Sequence, residues 1–293
     1  MKKYDMFAFG VLFAFILLSG CMEQSGGKEG MSIDAENSTV GSTGFGNDVL
    51  YQVSTIDALL QGVYDGVESF EELKKHGDFG IGTFDALEGE MLAIDGDYYQ
   101  IKSDGIAYPV RDNMTTPFAT VTSFETDETF RVKEPMNLTE LEKHLDEILP
   151  SKNLFYAIRI EGTFSSMKAR SVPKQERPYP KLVDVTATQS VFEFEDVNGT
   201  IAGFRTPDYV KGVNVPGYHL HFITEDRKAG GHVLDLDLES GNISIDITNS
   251  FFMELPEYGD FYNVDLSQDL QSEIELVEKK SFGSFTSPLI ISL

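Results

Sequence analysis

The chain has 293 residues, 41% of them hydrophobic, which is enough apolar material for one large domain or two modest ones. Against 23 basic residues stand 48 acidic ones, a formal charge of −25 that argues against nucleic-acid binding and against charge-driven docking on anionic lipid. Cys21 is the only cysteine, so no intrachain disulfide and no thiolate metal cluster can form.

The N-terminus opens with Lys2 and Lys3, runs through the apolar stretch MFAFGVLFAFILL and reaches LSGC at Cys21. That stretch is short for a bilayer span and has the length of a signal-peptide core. Leu18-Ser19-Gly20-Cys21 resembles a lipoprotein box. Residues 1–21 are therefore read as a lipoprotein signal peptide, with Cys21 the lipidation site of an exported protein held to the outer face of the cell membrane. The only membrane contact expected is this N-terminal lipid anchor. Residues 22–47, rich in Gly, Ser and acidic residues without apolar period, read as a flexible tether.

In VSTIDALLQGVYDG, the spacing of Ile56, Leu59, Leu60 and Val63 predicts a helix, with Ser54 as its cap. SFEELKKHG predicts a second short helix stopping at Gly77. From Phe79, GIGTFDALEGEMLAIDGDYYQIKSDGIAYPV alternates apolar runs with Gly and Asp turns, as successive strands do. TPFATVTSF is another strand. NLTELEKHLDEILP carries a helical stripe of Leu138, Leu141, Leu145 and Leu149, with His144 beside it as a surface residue. NLFYAIRIEGTFSSMKARSV reads as a strand, and the three prolines of SVPKQERPYPKLVDV as an irregular segment. SVFEFEDVNGTIAGFRTPDYV predicts a hairpin turning at Asn198-Gly199, and HVLDLDLESGNISIDIT a second hairpin. A last helix is expected over Asp269 to Glu278. The class is α+β, with few helices: a mixed β-sheet unit over 48–165, then a barrel-like β unit over 166–293 carrying the metal site, together one domain.

Three of the five histidines fall within PGYHLHFITEDRKAGGH, residues 216–232. His219 and His221 are two apart on a strand and share a face, with Tyr218, Leu220 and Phe222 on the other. TEDRKAGG is the turn that returns His232 beside them. Three imidazoles on one sheet face suit Zn, Cu, Fe or Ni. The same spacing also fits histidines on the surface or hydrogen-bonded in a core. Glu225 and Asp226 read as turn residues, Asp235 and Asp237 as outward strand positions, and Glu254 as a candidate supporting residue.

GTIAGFRTPDYVKGVNVPGYHLHFITEDRKAGGHVLD, GIGTFDALEGEM and ARSVPKQERPYPKL resemble the alpha-acetolactate decarboxylase family, in family order and over nearly all of the mature chain. The resemblance implies conversion of 2-acetolactate to acetoin and CO₂ with Zn²⁺ and no organic cofactor, in a homodimer. It implies His219, His221 and His232 as zinc ligands, Glu90, Arg170 and Glu278 as catalytic residues, and Thr83 with Arg170 at the substrate. The chemistry needs a polarised ketone as electron sink, a cation for the carboxylate and a proton donor. Two other readings use the same histidines: a tethered metal- or ligand-binding lipoprotein without catalysis, and a zinc hydrolase. The joint presence of Glu90, Arg170 and Glu278 favours the decarboxylase.

Overall fold

The computed structural model describes residues 48–279 and the short strand Leu289–Ile290. The expected signal, Cys21 and the tether lie outside the described residues. The chain lays down β1 (Val49–Val53), α1 (Ile56–Leu60), β2 (Glu68–Ser69) and α2 (Phe70–Leu73). A meander follows: β3 (Phe79–Thr83), β4 (Glu90–Ile94), β5 (Asp97–Ile101) and β6 (Ala107–Pro109). Next come β7 (Thr115–Thr116), β8 (Ala119–Thr122), β9 (Glu128–Val132), β10 (Met136–Asn137) and α3 (Leu138–Ile148). The long β11 (Phe155–Ser171) leads to α4 (Leu182–Thr186), the long β12 (Ser190–Thr206), β13 (Gly217–Thr224) and the long β14 (Gly230–Thr248). β15 (Ser250–Glu254), α5 (Gln271–Lys279) and β16 (Leu289–Ile290) complete the described elements.

Among the described residues, one sheet has the order β15-β1-β8-β3-β4-β5-β6 and the other β10-β14-β11-β12-β13, with β9 and β16 at its margins. β1 and β15 run parallel, while the other neighbours of the first sheet are antiparallel, a mixed sheet as expected. In the second sheet β13 also pairs back to β14, at His221 with His232, Phe222 with Gly231 and Ile223 with Gly230. The circuit β14-β11-β12-β13 therefore closes on itself at the histidines. The sheets do not divide at 165/166. β11 runs through that point, β9 and β10 join the second sheet, and β15 joins the first.

The hairpin expected at Asn198-Gly199 and the one expected within HVLDLDLESGNISIDIT are absent: β12 and β14 run unbroken through both. Gly162 of β11 stands opposite Gly199 on one side and Gly241 on the other. A Cβ at Gly199 would lie 2.3 Å from the Phe222 ring, and one at Gly162 2.5 Å from the Ser240 carbonyl oxygen. Glycine here permits close approach of three strands rather than a turn. Irregular register at Thr163/Phe164 and Phe164/Ser166 bends them at the same place.

α1 is capped by Thr55, not Ser54. The Thr55 hydroxyl accepts from the Ala58 N–H at 3.2 Å, while Ser54 sits at φ 60°. α3 forms as its leucine stripe predicts, with Leu141 and Leu145 fully buried and Asn137 and Glu140 closing a reciprocal cap. Alternation along β11 serves two cores. Ile158 and Ile160 join Leu141, Leu145 and Phe222, while Ala157 joins Phe79, Ile81 and Leu92 of the first sheet.

Asp246 of β14 is 1% exposed and accepts from the Glu125 N–H at 3.3 Å. Burial, reinforced by Asp127 and Asp48, pushes its pKa up to about 7, from an ordinary value of 3.8. Between those values the folded chain keeps a proton that the unfolded chain has released. The carboxyl's contribution is thus fully present below the unfolded value and is lost as the pH rises toward 7. Urea midpoints for the wild type should fall between pH 5 and pH 8, and Asp246→Asn should flatten that fall. Equal falls in both proteins would refute the assignment.

Candidate active site

The β13–β14 hairpin builds the centre of the site. His219 and His221 share one face of β13, His221 stands opposite His232, and His232 stands opposite Arg170 of β11. The three ring centroids lie 5.1, 5.1 and 5.3 Å apart, and one nitrogen from each ring lies within 4.8 Å of the others. His221 Nδ1 is 2.7 Å from the Met91 carbonyl oxygen. A carbonyl only accepts, so the proton sits on Nδ1 and the Nε2 lone pair faces the cluster. Nε2 of His221 and Nε2 of His232 are buried and have no hydrogen-bond partner among the described residues. The unpaired Nε2 lone pair of His221, beside two further imidazoles with a nitrogen within reach, fits a cation. Burial lowers the His219 pKa to about 3 and holds His221 and His232 well below the ordinary value, with the Arg170 charge adding to each. Neutral imidazole is the metal-binding form.

Charged groups surround this cluster. Thr83 and Glu90 are register partners at the ends of β3 and β4. Arg170 Nη1 donates to Glu90 Oε1 at 3.0 Å, and Glu90 Oε2 lies 3.8 Å from His221 Nε2. α5 carries Glu278 in, with Oε2 3.5 Å from Nε2 of both His219 and His232. Burial pushes the Glu90 pKa up to about 7; Arg170 opposes the shift and Glu278 adds to it. Arg170 Nε is buried without a hydrogen-bond partner among the described residues, so one N–H of the guanidinium is left to donate to a ligand. The Thr83 hydroxyl donates to the Gly89 carbonyl at 2.7 Å, leaving its lone pairs as acceptors.

Thr83, Glu90, Arg170, His219 and Glu278 line one pocket, whose apolar wall comes from Ile56, Leu59, Leu87, Phe118, Val172 and Leu182. The structure thus brings the seven named residues of the folded chain into one place: Thr83, Glu90, Arg170, His219, His221, His232 and Glu278. It keeps others out. Glu254 lies on the outer strand β15 and accepts from the Tyr51 hydroxyl at 2.8 Å, so it does not support the histidines. Glu225 and Asp226 occupy the turn, and Asp235 and Asp237 face solvent, as expected. The Met91 carbonyl and the apolar wall were not foreseen. Ile56 and Leu59 belong to a helical stripe that reads as core, and a backbone carbonyl leaves no mark in a sequence.

A profile of the alpha-acetolactate decarboxylase family matches residues 50–268. Glu278 lies beyond that segment, and its place in the site stands on the distances above. A protein from Methanosarcina mazei named alpha-acetolactate decarboxylase is 64% identical over 261 residues, spanning 89% of this chain and 91% of that one. One of the same name from Bacillus subtilis is 46% identical over 78% of this chain and 90% of its own. The crystal structure of alpha-acetolactate decarboxylase from Bacillus subtilis strain 168 superposes with a TM-score of 0.78 at 45% identity, covering 79% of this chain and 100% of that one. Agreement at this level in sequence and in backbone means that the chain belongs to the alpha-acetolactate decarboxylase family.

Proposed function

We propose that the chain decarboxylates 2-acetolactate to acetoin and CO₂, with Zn²⁺ held by His219, His221 and His232. The observation that carries this reading is the cluster of three neutral imidazoles, one of which, His219, lines the same apolar-walled pocket as Arg170, Glu90 and Glu278. Three protein ligands leave open positions for substrate, the pattern of a catalytic rather than a structural zinc site. When bound, Zn²⁺ supplies a Lewis acid that polarises the substrate ketone, so that it can accept the electron pair of the breaking C–CO₂ bond.

The chain's own residues do the rest. Arg170 takes the substrate carboxylate on its unpartnered Nε side, while Glu90 grips Nη1 and fixes the plane of the guanidinium. That grip sets the direction in which CO₂ leaves. Thr83 accepts from the substrate hydroxyl, because its own proton is committed to Gly89. Ile56, Leu59 and Phe118 exclude water and receive methyl groups. The acetolactate anion takes up one proton as it becomes acetoin and CO₂. A carboxyl of the Glu90–Glu278 pair delivers it to the carbon that lost CO₂, and burial keeps Glu90 able to hold a proton near neutrality.

Incubating the protein with racemic 2-acetolactate in a pH-stat tests the reading. With the pH held below the first pKa of carbonic acid and CO₂ swept out as gas, acetoin and CO₂ should appear in equal amounts, with one proton consumed per acetoin. Binding without acetoin would mark the chain as a ligand-binding member of its family and overturn the catalytic reading.

We further infer that the protein is exported and anchored through Cys21. The reading rests on Lys2, Lys3, the apolar run and the lipoprotein-box pattern. Among the described residues no helix is long and apolar enough to cross a membrane. In cell fractionation, Cys21→Ser should move the protein out of the membrane fraction; an unchanged distribution would refute the anchor.

A further inference from the structure

The loop joining β3 to β4 holds two adjacent side-chain-bearing residues in a backbone region that disfavours them, with Ala86 at φ 56° and Leu87 at φ 57°. L-residues carry a clash between Cβ and the carbonyl there, and such residues persist only where their surroundings over-determine them. The surroundings do so here. The Ala86 N–H donates to the Tyr64 carbonyl at 2.8 Å, and the Ala86 carbonyl accepts from the Gln175 N–H at 2.8 Å. Thr83 holds the Gly89 carbonyl at 2.7 Å. Gln100 Nε2, from β5, donates to the Glu88 carbonyl at 2.7 Å, and Lys102 Nζ reaches Glu88 Oε1 at 2.9 Å. Gly89, at φ 86°, cannot be replaced without a Cβ 2.4 Å from the Ile101 carbonyl oxygen.

All these bonds fix the backbone between Thr83 and Glu90, two residues that line the pocket. Leu87 lines it with them and is 2% exposed. Gln100 is 3% exposed and does not line the pocket; its side-chain bond goes to the loop, at the Glu88 carbonyl. An acetolactate-like substrate presents its carboxylate, hydroxyl and ketone to polar groups, so its alkyl substituent is the part left to meet an apolar wall.

We propose that Leu87, held in place by the stapled β3–β4 loop, is the residue that limits the size of the substrate's alkyl substituent, and that Gln100 is the positioning residue that keeps it there. The choice of substrate class rests on the decarboxylase reading, while the size limit itself does not.

The test compares the full-length, metal-loaded wild type with Leu87→Ala and Gln100→Leu. Substrates are 2-acetolactate and its homologues with ethyl and propyl in place of the 2-methyl group. Leu87→Ala should raise the propyl-to-methyl ratio of kcat/KM by about tenfold or more. Gln100→Leu keeps the side-chain volume but loses the bond to Glu88. It should raise KM for 2-acetolactate about tenfold with kcat within about threefold, and narrow the size discrimination. A merely structural role for Gln100 would lower the melting temperature and leave the ratio unmoved. In parallel, calorimetry measures binding of the unreactive acids 2-hydroxy-2-methylpropanoate and 2-ethyl-2-hydroxybutanoate. If the wild type forms no acetoin but Leu87→Ala admits the larger acid selectively, the size limit stands and the decarboxylase reading falls. If the wild type turns over and both variants keep its size preference within twofold, the proposal is wrong and the decarboxylase reading stands.

Discussion

Replacing Arg170 by alanine should lower kcat/KM for 2-acetolactate by roughly a hundred- to a thousandfold and leave the metal bound. Truncating one partner of a buried, hydrogen-bonded charge pair costs about 2–5 kcal/mol, and each 1.36 kcal/mol is about tenfold in rate. Arg170 is such a partner: it is 4% exposed, is bonded to Glu90 at 3.0 Å, and its buried Nε has no hydrogen-bond partner among the described residues. It ligates nothing in the histidine cluster, so metal content measured by elemental analysis should match the wild type. Folding should suffer too, because Glu90 is left buried and unpaired, a change worth about 3–5 kcal/mol if it stays charged. Glu90 can instead take up a proton, since burial already pushes its pKa up to about 7. Adding Glu90→Gln to the Arg170 variant should therefore recover stability in urea without recovering turnover. Full activity in Arg170→Ala would remove the carboxylate role.

Changing His221 to alanine should abolish metal binding and acetoin formation together. His221 is 1% exposed, and its ring is locked by the Met91 carbonyl with Nε2 turned to the cluster. Losing an outer partner of a ligand typically weakens metal binding about 10–100-fold, so losing the ligand itself should exceed about a hundredfold. His144 offers the contrast. It lies half-buried on α3, away from the cluster, and His144→Ala should alter neither metal content nor rate. A His221→Ala protein that kept both metal and turnover would rule out the triad as the metal site.

Much of the histidine centre is legible in the residues themselves. Period-two alternation placed His219 and His221 on one face, and the short TEDRKAGG turn obliged His232 to return beside them. The rest of the site is not legible that way. Glu90 and Arg170 are 80 positions apart and meet only because β4 and β11 belong to two sheets that share a core. Glu278 arrives on a separate helix. Family resemblance singled those three out; their chemistry as isolated residues did not. The misread hairpins have a physical cause as well. Asn198-Gly199 looks like a tight turn, yet its glycine is needed because the Phe222 ring and the Ile223 carbonyl approach too closely for a side chain. Leu87 carries no sequence signal for its left-handed backbone, because that conformation is imposed by Tyr64, Gln100 and Gln175 from elsewhere in the chain.

The measurement that bears most directly on the central claim is a metal titration of activity. The protein is stripped with a chelator, and Zn²⁺ is returned stepwise while acetoin from racemic 2-acetolactate is followed. Acetoin formation should vanish with the metal and return to a plateau at one equivalent of Zn²⁺ per chain. Acetoin formed undiminished by the stripped protein, or none formed after Zn²⁺ is restored, would contradict a decarboxylase built on His219, His221 and His232.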